Sequence, residues 1–169
     1  MVSSSTDEHR RATRSQLGFA VITVSDSRTI ETDKSGQLLI DAMTTASHRL
    51  LNRRIVPDEP PQIVAAVQEI CGLSGVDVIL VTGGTGISPR DRTPEAIQPL
   101  LDLVIPGFGE LFRVLSYDEI GAAAMLSRAF AGRIGETLIF CLPGSTAAVR
   151  LAVEKLLLPE LPHLVHHSR

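Results

Sequence analysis

The stretch Val76-Asp77-Val78-Ile79-Leu80-Val81-Thr82-Gly83-Gly84-Thr85-Gly86 decides the fold, because it sets an apolar run directly before a glycine-rich turn. A short, near-continuous apolar run bounded by glycines, here residues 76–81, predicts a buried strand. Such a strand is typical of a parallel sheet whose two faces are both covered by helices. The chain suits an aliphatic core of this kind, since it contains 5 Phe, 1 Tyr and no Trp.

The segments on either side alternate between strand and helix patterns. Strands are predicted at 19–24, 50–56 and 137–142, and apolar residues recur at helical spacing within 38–46 and 63–71. The order β-α-β-α-β implies right-handed crossovers and parallel strands. Further helices are predicted at 107–115, 120–128 and 146–158, and another begins at Thr93, with the Thr93 hydroxyl as its N-cap. We therefore predict an α/β fold of three layers, a mostly parallel sheet with helices on both faces.

The length of 169 residues fits one domain with a sizeable core. Residues 1–16 are polar and lack periodicity, which predicts a flexible N-terminal tail, and residues 161–169 are interpreted as a C-terminal tail. The domain is predicted to span residues 17–160, without an internal repeat. His9 is interpreted as part of the solvated N-terminal tail. No carboxylate or cysteine accompanies the C-terminal histidines at a ligand spacing, so these are also interpreted as solvated: His163, His166 and His167.

The composition excludes several classes of protein. The formal net charge is −3, so the chain carries no overall positive field for nucleic acid. The apolar runs are too short to span a bilayer and none has the length of a signal peptide, which predicts a cytoplasmic protein that does not bind membranes. Cys71 and Cys141 lie inside apolar stretches and are interpreted as small buried hydrophobes.

Three polar segments, residues 25–27, 82–93 and 143–145, follow predicted strands and are expected to converge, because ligands of open parallel sheets bind beyond the carboxyl ends of the strands. Backbone N–H groups of the glycine turn can approach an anion closely, and Ser145 opens a helix whose N-terminus favours negative charge. Pro89 stands where a dinucleotide fingerprint has its third glycine, and no Gly-Lys-Ser/Thr follows, so neither a Rossmann dehydrogenase nor a P-loop is expected. On spacing alone, a structural turn and an anion-binding loop are equally good interpretations.

Charged residues beside the glycine turn favour the anion-binding interpretation. Arg90 and Arg92 could donate bidentately to phosphate, and Asp91 is placed to hold a metal ion or orient a nucleophile. Asp58, between Pro57 and Pro60, is on these grounds alone a turn residue. Ser25 and Ser145 lie in no Gly-x-Ser-x-Gly elbow, so they are interpreted as phosphate-binding or capping hydroxyls rather than nucleophiles.

Several longer motifs recur along the chain in one order. They are Val24-Ser25-Asp26, Val56-Pro57-Asp58-Glu59, Thr82-Gly83-Gly84-Thr85-Gly86, Arg90-Asp91-Arg92-Thr93-Pro94-Glu95-Ala96, Pro106-Gly107-Phe108-Gly109-Glu110, Ser127-Arg128 and Leu142-Pro143-Gly144-Ser145. Together they resemble the MoaB/MogA family of molybdenum cofactor biosynthesis over residues 17–160. Residues 109–121 resemble the MoaB branch, whereas the Asp-x-Thr-Pro form of residues 91–94 is that of adenylylating members.

The resemblance implies a molybdopterin-binding fold and, in active members, transfer of AMP from Mg-ATP to the molybdopterin phosphate with release of pyrophosphate. It implies that Asp58 and Asp91 are the catalytic carboxylates and support Mg²⁺. The substrate- and phosphate-binding residues would be Ser25, Asp26, Thr82, Gly83, Gly84, Thr85, Gly86, Arg90, Thr93, Pro143, Gly144 and Ser145. It also implies a homo-oligomer, either a trimer or a hexamer, with other molybdenum cofactor synthesis proteins as partners.

Three points stay open at this stage. A non-catalytic pterin-binding or carrier protein would use the same loops without forming an ATP-dependent product. A generic nucleotide-binding α/β protein would bind ATP and ignore molybdopterin. Four apolar residues fit subunit contacts and core packing equally well: Phe108, Leu111, Phe112 and Leu115.

Overall fold

The computed structural model describes residues 16–169, in which six strands form one sheet. The strands are β1 (Gly18–Val24), β2 (Arg49–Val56), β3 (Val78–Thr82), β4 (Leu103–Val104), β5 (Phe130–Ile134) and β6 (Thr137–Leu142). Their order is β2-β1-β3-β6-β5-β4. The pairs β1–β2, β1–β3 and β3–β6 are parallel, and β5 runs antiparallel to both of its neighbours. The predicted mostly parallel sheet is confirmed.

Helices connect the strands and cover the sheet. They are α1 (Lys34–Thr45), α2 (Pro60–Cys71), α3 (Thr93–Ile97), α4 (Pro106–Ile120), α5 (Thr146–Ala152) and α6 (Leu158–His167). A 3-10 helix, Gly121–Leu126, follows α4, and a π-helical stretch, Val153–Leu157, joins α5 to α6. The predicted tail at residues 1–16 lies outside the described residues, apart from Gln16.

The sheet separates two apolar layers, because successive side chains of a strand point to opposite faces. On one face Val21, Leu80 and Phe140 pack with residues of α1, α4, α5 and α6. On the other face Ile22 and Val81 pack with residues of α2 and α3. The strands β1, β3 and β6 are buried along their whole length, which explains their continuous apolar sequences.

The prediction of a C-terminal tail at residues 161–169 is wrong, because residues 158–167 form α6. Leu161 and Val165 are buried in the same core cluster as Leu157, at the i, i+4 spacing of one helix face. The prolines of this segment obscured the pattern. The π-helical stretch ends directly before Leu158-Pro159, where the proline nitrogen cannot donate the usual helical hydrogen bond.

Other differences concern the second half of the chain. The sequence did not predict β4 or β5, and the helix expected at 120–128 is a 3-10 helix that ends at Leu126. Among the four ambiguous apolar residues of α4, Phe108 and Phe112 belong to the core, where the Phe108 and Phe140 ring centroids are 5.2 Å apart. Leu111 is exposed and Leu115 is partly buried against the core. Within residues 16–169, no helix is both long and apolar enough to cross a membrane.

Candidate functional site

The loops that follow β1, β2, β3 and β6 meet at one edge of the sheet. The Ser25 amide donates to the Val56 carbonyl at 2.8 Å, which joins the first two loops. The Thr82 hydroxyl donates to the Pro143 carbonyl at 2.9 Å, and the Gly83 amide donates to the Leu142 carbonyl at 3.0 Å. The expected convergence of segments 25–27, 82–93 and 143–145 is therefore present, and Asp58 joins it from the end of β2.

The glycine loop, residues 83–86, is shaped by close approach of other groups. Gly83 and Gly84 have φ values of +105° and +62°, which favour glycine, and a Cβ on Gly83 would collide with the Val24 carbonyl. Thr93 was expected to cap α3. Instead its hydroxyl donates to the Gly83 carbonyl at 2.9 Å, its amide donates to the Gly84 carbonyl at 3.0 Å, and Arg92 is the N-cap residue. Thr93 therefore closes the glycine loop onto the start of α3.

Asp58 lies against this loop and is 8% exposed. Both of its carboxylate oxygens are 3.0 Å from the position that a Cβ on Gly84 would take, and Oδ1 accepts from the Arg92 amide at 3.2 Å. Burial raises the pKa of Asp58, and the nearby carboxylates of Asp91 and Asp26 raise it further, whereas the Arg92 amide opposes the shift. The charge of Arg90 also opposes the shift, but the net effect is a raised pKa for Asp58.

Asp91 lies against the other end of the loop. Its Oδ2 accepts from the Ser88 amide at 2.8 Å and lies 2.7 Å from the position that a Cβ on Gly86 would take. The two predicted carboxylates therefore flank the glycine loop, Asp58 at Gly84 and Asp91 at Gly86. At both glycines the carboxylate lies where a side chain would need space, so only glycine allows it to approach the loop this closely.

Arg90 was expected to bind phosphate, and the structure places it in an ion-pair network. Its guanidinium contacts Asp26 Oδ2 at 2.7 Å and Glu59 Oε1 at 2.9 Å. The Asp58 amide also donates to Asp26 Oδ1 at 3.0 Å. This amide, followed by Arg90, lowers the pKa of Asp26. Arg90 thus joins the loops after β1, β2 and β3, and it can bind phosphate only by leaving these carboxylates.

A cleft of about 330 Å³ opens beside the glycine loop, between the ends of β1, β3 and β6. Of the predicted residues, Ser25, Thr82, Gly83, Gly144 and Ser145 line it. The Ser145 hydroxyl accepts from the Ala148 amide at 3.2 Å as the N-cap of α5. The Ser25 hydroxyl accepts from the amides of the turn that follows it. Both serines are therefore capping hydroxyls that keep a proton to donate into the cleft.

Sequence reasoning missed the cations of this cleft, Arg28 and Lys34. Lys34 is the first residue of α1, and the buried Asp33 before it accepts from the Gly36 amide, the Thr23 hydroxyl and Arg53. The Ser35 hydroxyl donates to the Gly144 carbonyl at 2.7 Å, which fixes the start of α1 beside the start of α5. In the sequence, Asp33 before Lys34 could have indicated the N-terminus of α1. It could not have shown that this N-terminus lies beside the glycine loop, because only the fold brings the two together.

Two further features bound the site. Thr85 is 2% exposed, and its hydroxyl has no hydrogen-bond partner among the described residues. A larger open groove of about 800 Å³ runs along α1 and α5, but it contains no residue of the glycine loop. The Gly83 amide is bonded to the Leu142 carbonyl, so an anion at the loop would be bound by the amides of residues 84–86, with two carboxylates beside them.

Residues 20–163 match a family model described as "Probable molybdopterin binding domain". Over 161 residues the chain is 49% identical to molybdenum cofactor biosynthesis protein B of Bacillus cereus, and the match covers 95% of each chain. A crystal structure of a molybdenum cofactor biosynthesis protein B superposes with a TM-score of 0.88 at 50% identity, over 90% of this chain and 96% of that one. The tungsten cofactor synthesizing protein MoaB from Pyrococcus furiosus superposes with a TM-score of 0.83 at 40% identity, over 92% and 99% of the two chains.

Proposed function

Since the chain belongs to the molybdopterin-binding family of molybdenum cofactor biosynthesis proteins, with protein B among its relatives, we propose that it is a molybdopterin adenylyltransferase. In this reaction a phosphate oxygen of molybdopterin attacks the α-phosphorus of ATP. The bond from that phosphorus to the bridging oxygen breaks, pyrophosphate leaves, and AMP stays on molybdopterin. The enzyme would mainly position two phosphates and offset the charge that develops between them.

One observation carries the proposal: Asp58 and Asp91 flank a glycine loop whose amides can bind phosphate. The Asp58 oxygens lie 3.0 Å from the Cβ position of Gly84, and Asp91 Oδ2 lies 2.7 Å from that of Gly86. A purely structural turn does not require two carboxylates beside an anion cradle. Phosphoryl-type transfer does, because carboxylates hold the cation that accompanies a nucleotide.

The residues at the loop fit a magnesium ion. Asp58 is buried with a raised pKa, and Arg90, whose charge opposes that rise, is itself paired with Asp26 and Glu59. Within residues 16–169 no group of three or more His, Cys, Asp and Glu is arranged to hold a metal. Mg²⁺ usually takes one or two carboxylates, with water and substrate phosphates completing its ligands. Mg²⁺ held by Asp58 and Asp91 would neutralise phosphate charge.

The adjoining cleft would hold molybdopterin through its phosphate. Arg28 and Lys34 supply positive charge there, and the first amides of α5 follow Ser145. A helix N-terminus beside two cations favours an anion. Gly83 of the glycine loop lines the cleft, and Gly84 and Gly86 lie against Asp58 and Asp91. The loop would then hold the molybdopterin phosphate close to the phosphates of ATP.

The second candidate is a non-catalytic molybdopterin-binding or carrier protein. The ion pairs of Arg90 favour it, because this arginine is occupied by two carboxylates rather than turned to a phosphate. Such a protein would bind molybdopterin in the same cleft and form no product from ATP.

The deciding experiment incubates the protein with molybdopterin and Mg-ATP and measures pyrophosphate and adenylylated pterin. Wild type should form both, and Asp91→Asn should form them about 100-fold more slowly or not at all, because one cation-holding carboxylate is lost. Molybdopterin binding should change little, since Asp91 does not line the cleft. Asp41→Asn, on the exposed side of α1, is the matched control. Binding without product in wild type would establish the carrier function instead.

We also propose that the protein is a homo-oligomer, a trimer or a hexamer. An apolar groove of about 410 Å³, the α4 groove, is lined mainly by Val114, Tyr117, Ala122, Ala124 and Met125. The side chains of Val114, Tyr117 and Met125 are 63%, 62% and 74% exposed. Contiguous apolar surface of this kind marks an interaction site, and a second copy of the chain is the partner that the family resemblance implies.

A further inference from the structure

Arg128, which lies between the 3-10 helix and β5, directs its side chain at the loop that carries Asp91. Nε donates to the Gly86 carbonyl at 2.7 Å, and Nη2 donates to the Asp91 carbonyl at 2.7 Å. Nη1 pairs with Glu95 on α3. The Arg128 amide donates to the Thr85 carbonyl at 2.9 Å. Arg128 thus makes four contacts with the segment 85–95, three through its side chain and one through its amide.

We propose that Arg128 is a positioning residue for adenylyl transfer, which fixes Asp91 relative to the glycine loop. This inference rests on the proposed function. Arg128 acts through the loop rather than on the reacting atoms, since each of its three guanidinium nitrogens donates to a main-chain carbonyl or to Glu95. Its effect reaches the reaction through the main chain of Asp91.

An arginine suits this position better than a lysine. The guanidinium has a planar set of donors that can serve three acceptors in different directions, whereas an ammonium is a point charge on a flexible stem. The side chain of Arg128 is 34% exposed, so its bonds to the two carbonyls are partly shielded from water. Hydrogen bonds from a charged donor are stronger than those from a neutral one.

The segment 86–92 has few other anchors. Ile87 is 67% exposed and contributes little to the core. Arg90 binds Asp26 and Glu59 through ion pairs whose side chains are about half exposed, a class of interaction that is weak in water. Apart from the bond of the Arg92 amide to Asp58, Arg128 is therefore the principal link between this segment and the rest of the domain.

Position matters because a catalytic group displaced by about 1 Å can lower the rate by about 100-fold. The Asp91 carboxylate is oriented by the Ser88 amide within the same loop, so a shift of the loop carries the carboxylate with it. The molybdopterin cleft lies on the other side of the glycine loop and does not contain Arg128. Loss of Arg128 should therefore lower kcat and leave the KM for molybdopterin nearly unchanged.

The test compares Arg128→Met, Arg128→Lys and Glu95→Gln with wild type. Arg128→Met should lower kcat by about 10- to 100-fold, the range seen when residues supporting a functional ligand are lost. Arg128→Lys should recover little of this, because it can reach only one of the acceptors. Glu95→Gln should stay within about threefold of wild type, since both carbonyl contacts remain. Arg133→Met is the matched control, because Arg133 donates to the Ser168 carbonyl and does not contact the loop.

Amide hydrogen exchange gives a readout that does not depend on turnover. Exchange should accelerate at residues 86–92 in Arg128→Met and stay unchanged in β1 and β3. Unchanged exchange, or wild-type kcat in Arg128→Met, would overturn the proposal. Should wild type form no adenylylated pterin, the proposed function fails, and accelerated exchange would show that Arg128 still orders the Asp91 loop. If Arg128→Met does not fold, kcat and the amide exchange of residues 86–92 are compared between Arg128→Lys and wild type instead.

Discussion

The carboxylate of Asp58 is held where burial opposes its charge. Burial raises the pKa of this group, with smaller contributions from Asp91 and Asp26. An acid whose pKa is raised on folding stabilises the protein only at low pH, and this stabilisation is lost as the pH rises through the raised value. Above that value, ionised Asp58 therefore destabilises the native state.

Asp58→Asn should accordingly raise the melting temperature in metal-free buffer at about pH 8. Asparagine keeps an oxygen for the Arg92 amide and removes the buried charge. A gain of about 1 kcal/mol would raise Tm by about 2–4 °C in a domain of this size. The gain should shrink as the pH falls through the raised pKa of Asp58, because the wild-type carboxyl is then neutral. Thermal unfolding at a series of pH values measures this, and a lower Tm at every pH would contradict it.

Asp26→Asn is the control of opposite sign. The Asp58 amide, followed by Arg90, lowers the pKa of Asp26, so its contribution to stability is present above its usual pKa and is lost as the pH falls through the lowered value. This variant should melt below wild type at neutral pH, and the difference should disappear in acid.

Gly84 offers a test of the loop itself. Its φ of +62° and the nearby Asp58 oxygens leave no room for a side chain. Gly84→Ala should lower the free energy of unfolding by about 1–3 kcal/mol through backbone strain, and it should abolish AMP transfer by displacing Asp58. Gly107→Ala, in the first turn of α4 with nothing within 4 Å of its Cβ position, should be neutral or stabilising. Denaturant unfolding measures the free energy of unfolding of both variants. Equal changes in Gly84→Ala and Gly107→Ala would contradict the prediction.

At the scale of residues, sequence reasoning located groups that lie in a motif and missed those that act across the fold. The glycine loop and Asp91 could be found because they are close in the chain. Arg128 lies in the Ser127-Arg128 motif, but its contact was missed, because the Gly86 carbonyl is 42 residues away and no local pattern predicts such a bond. Lys34 was missed for the same reason, since only tertiary packing brings the start of α1 to the cleft.

At the scale of elements, the four parallel strands were predictable, including β2 at one edge of the sheet, and the strands of the antiparallel pair β4–β5 were not. Strands β1, β3 and β6 are continuous apolar runs, and the predicted range of β6, 137–142, agrees with the structure. Strand β4 has only two residues, and β5 contains Gly132 and Arg133. Gly132 is needed because a Cβ there would lie 2.6 Å from the Leu103 carbonyl of β4. In the sequence, however, Gly132 interrupts the apolar pattern by which a strand is predicted, so β5 was missed.

Helix α6 gives a prediction at this scale. Leu161 is fully buried in the cluster that includes Leu157 and Val165. Leu161→Ala should lower the free energy of unfolding by about 2–5 kcal/mol, the usual cost of a cavity in a core, whereas a residue of a tail would cost nothing. His166→Ala, on the exposed side of the same helix, is the control. Denaturant titration measures both, and a Leu161→Ala variant as stable as wild type would mean that α6 does not pack as described.

At the scale of the whole molecule, the two faces of the sheet have different surroundings. Helices α2 and α3 cover one face, and on the other face α4 covers Phe140 while leaving apolar side chains of its own outside. The glycine loop lies at the sheet edge between these layers, so a site within one chain and an interface between chains can coexist. A substitution in the α4 groove can therefore test the proposed oligomer without altering the glycine loop or the cleft beside it.

Val114→Asp should dissociate the proposed oligomer. Val114 lines the α4 groove, and it contacts neither the cleft nor the glycine loop. A carboxylate buried in an interface without a partner costs about 3 kcal/mol or more, which weakens association by more than about a hundredfold. Sedimentation velocity should show a trimer or hexamer for wild type and a monomer for Val114→Asp at equal concentration. Leu73→Asp, at a 42% exposed apolar residue in the loop after α2, should leave the assembly intact. A monomeric wild type, or an unchanged oligomer in Val114→Asp, would show that the α4 groove does not bind a second copy.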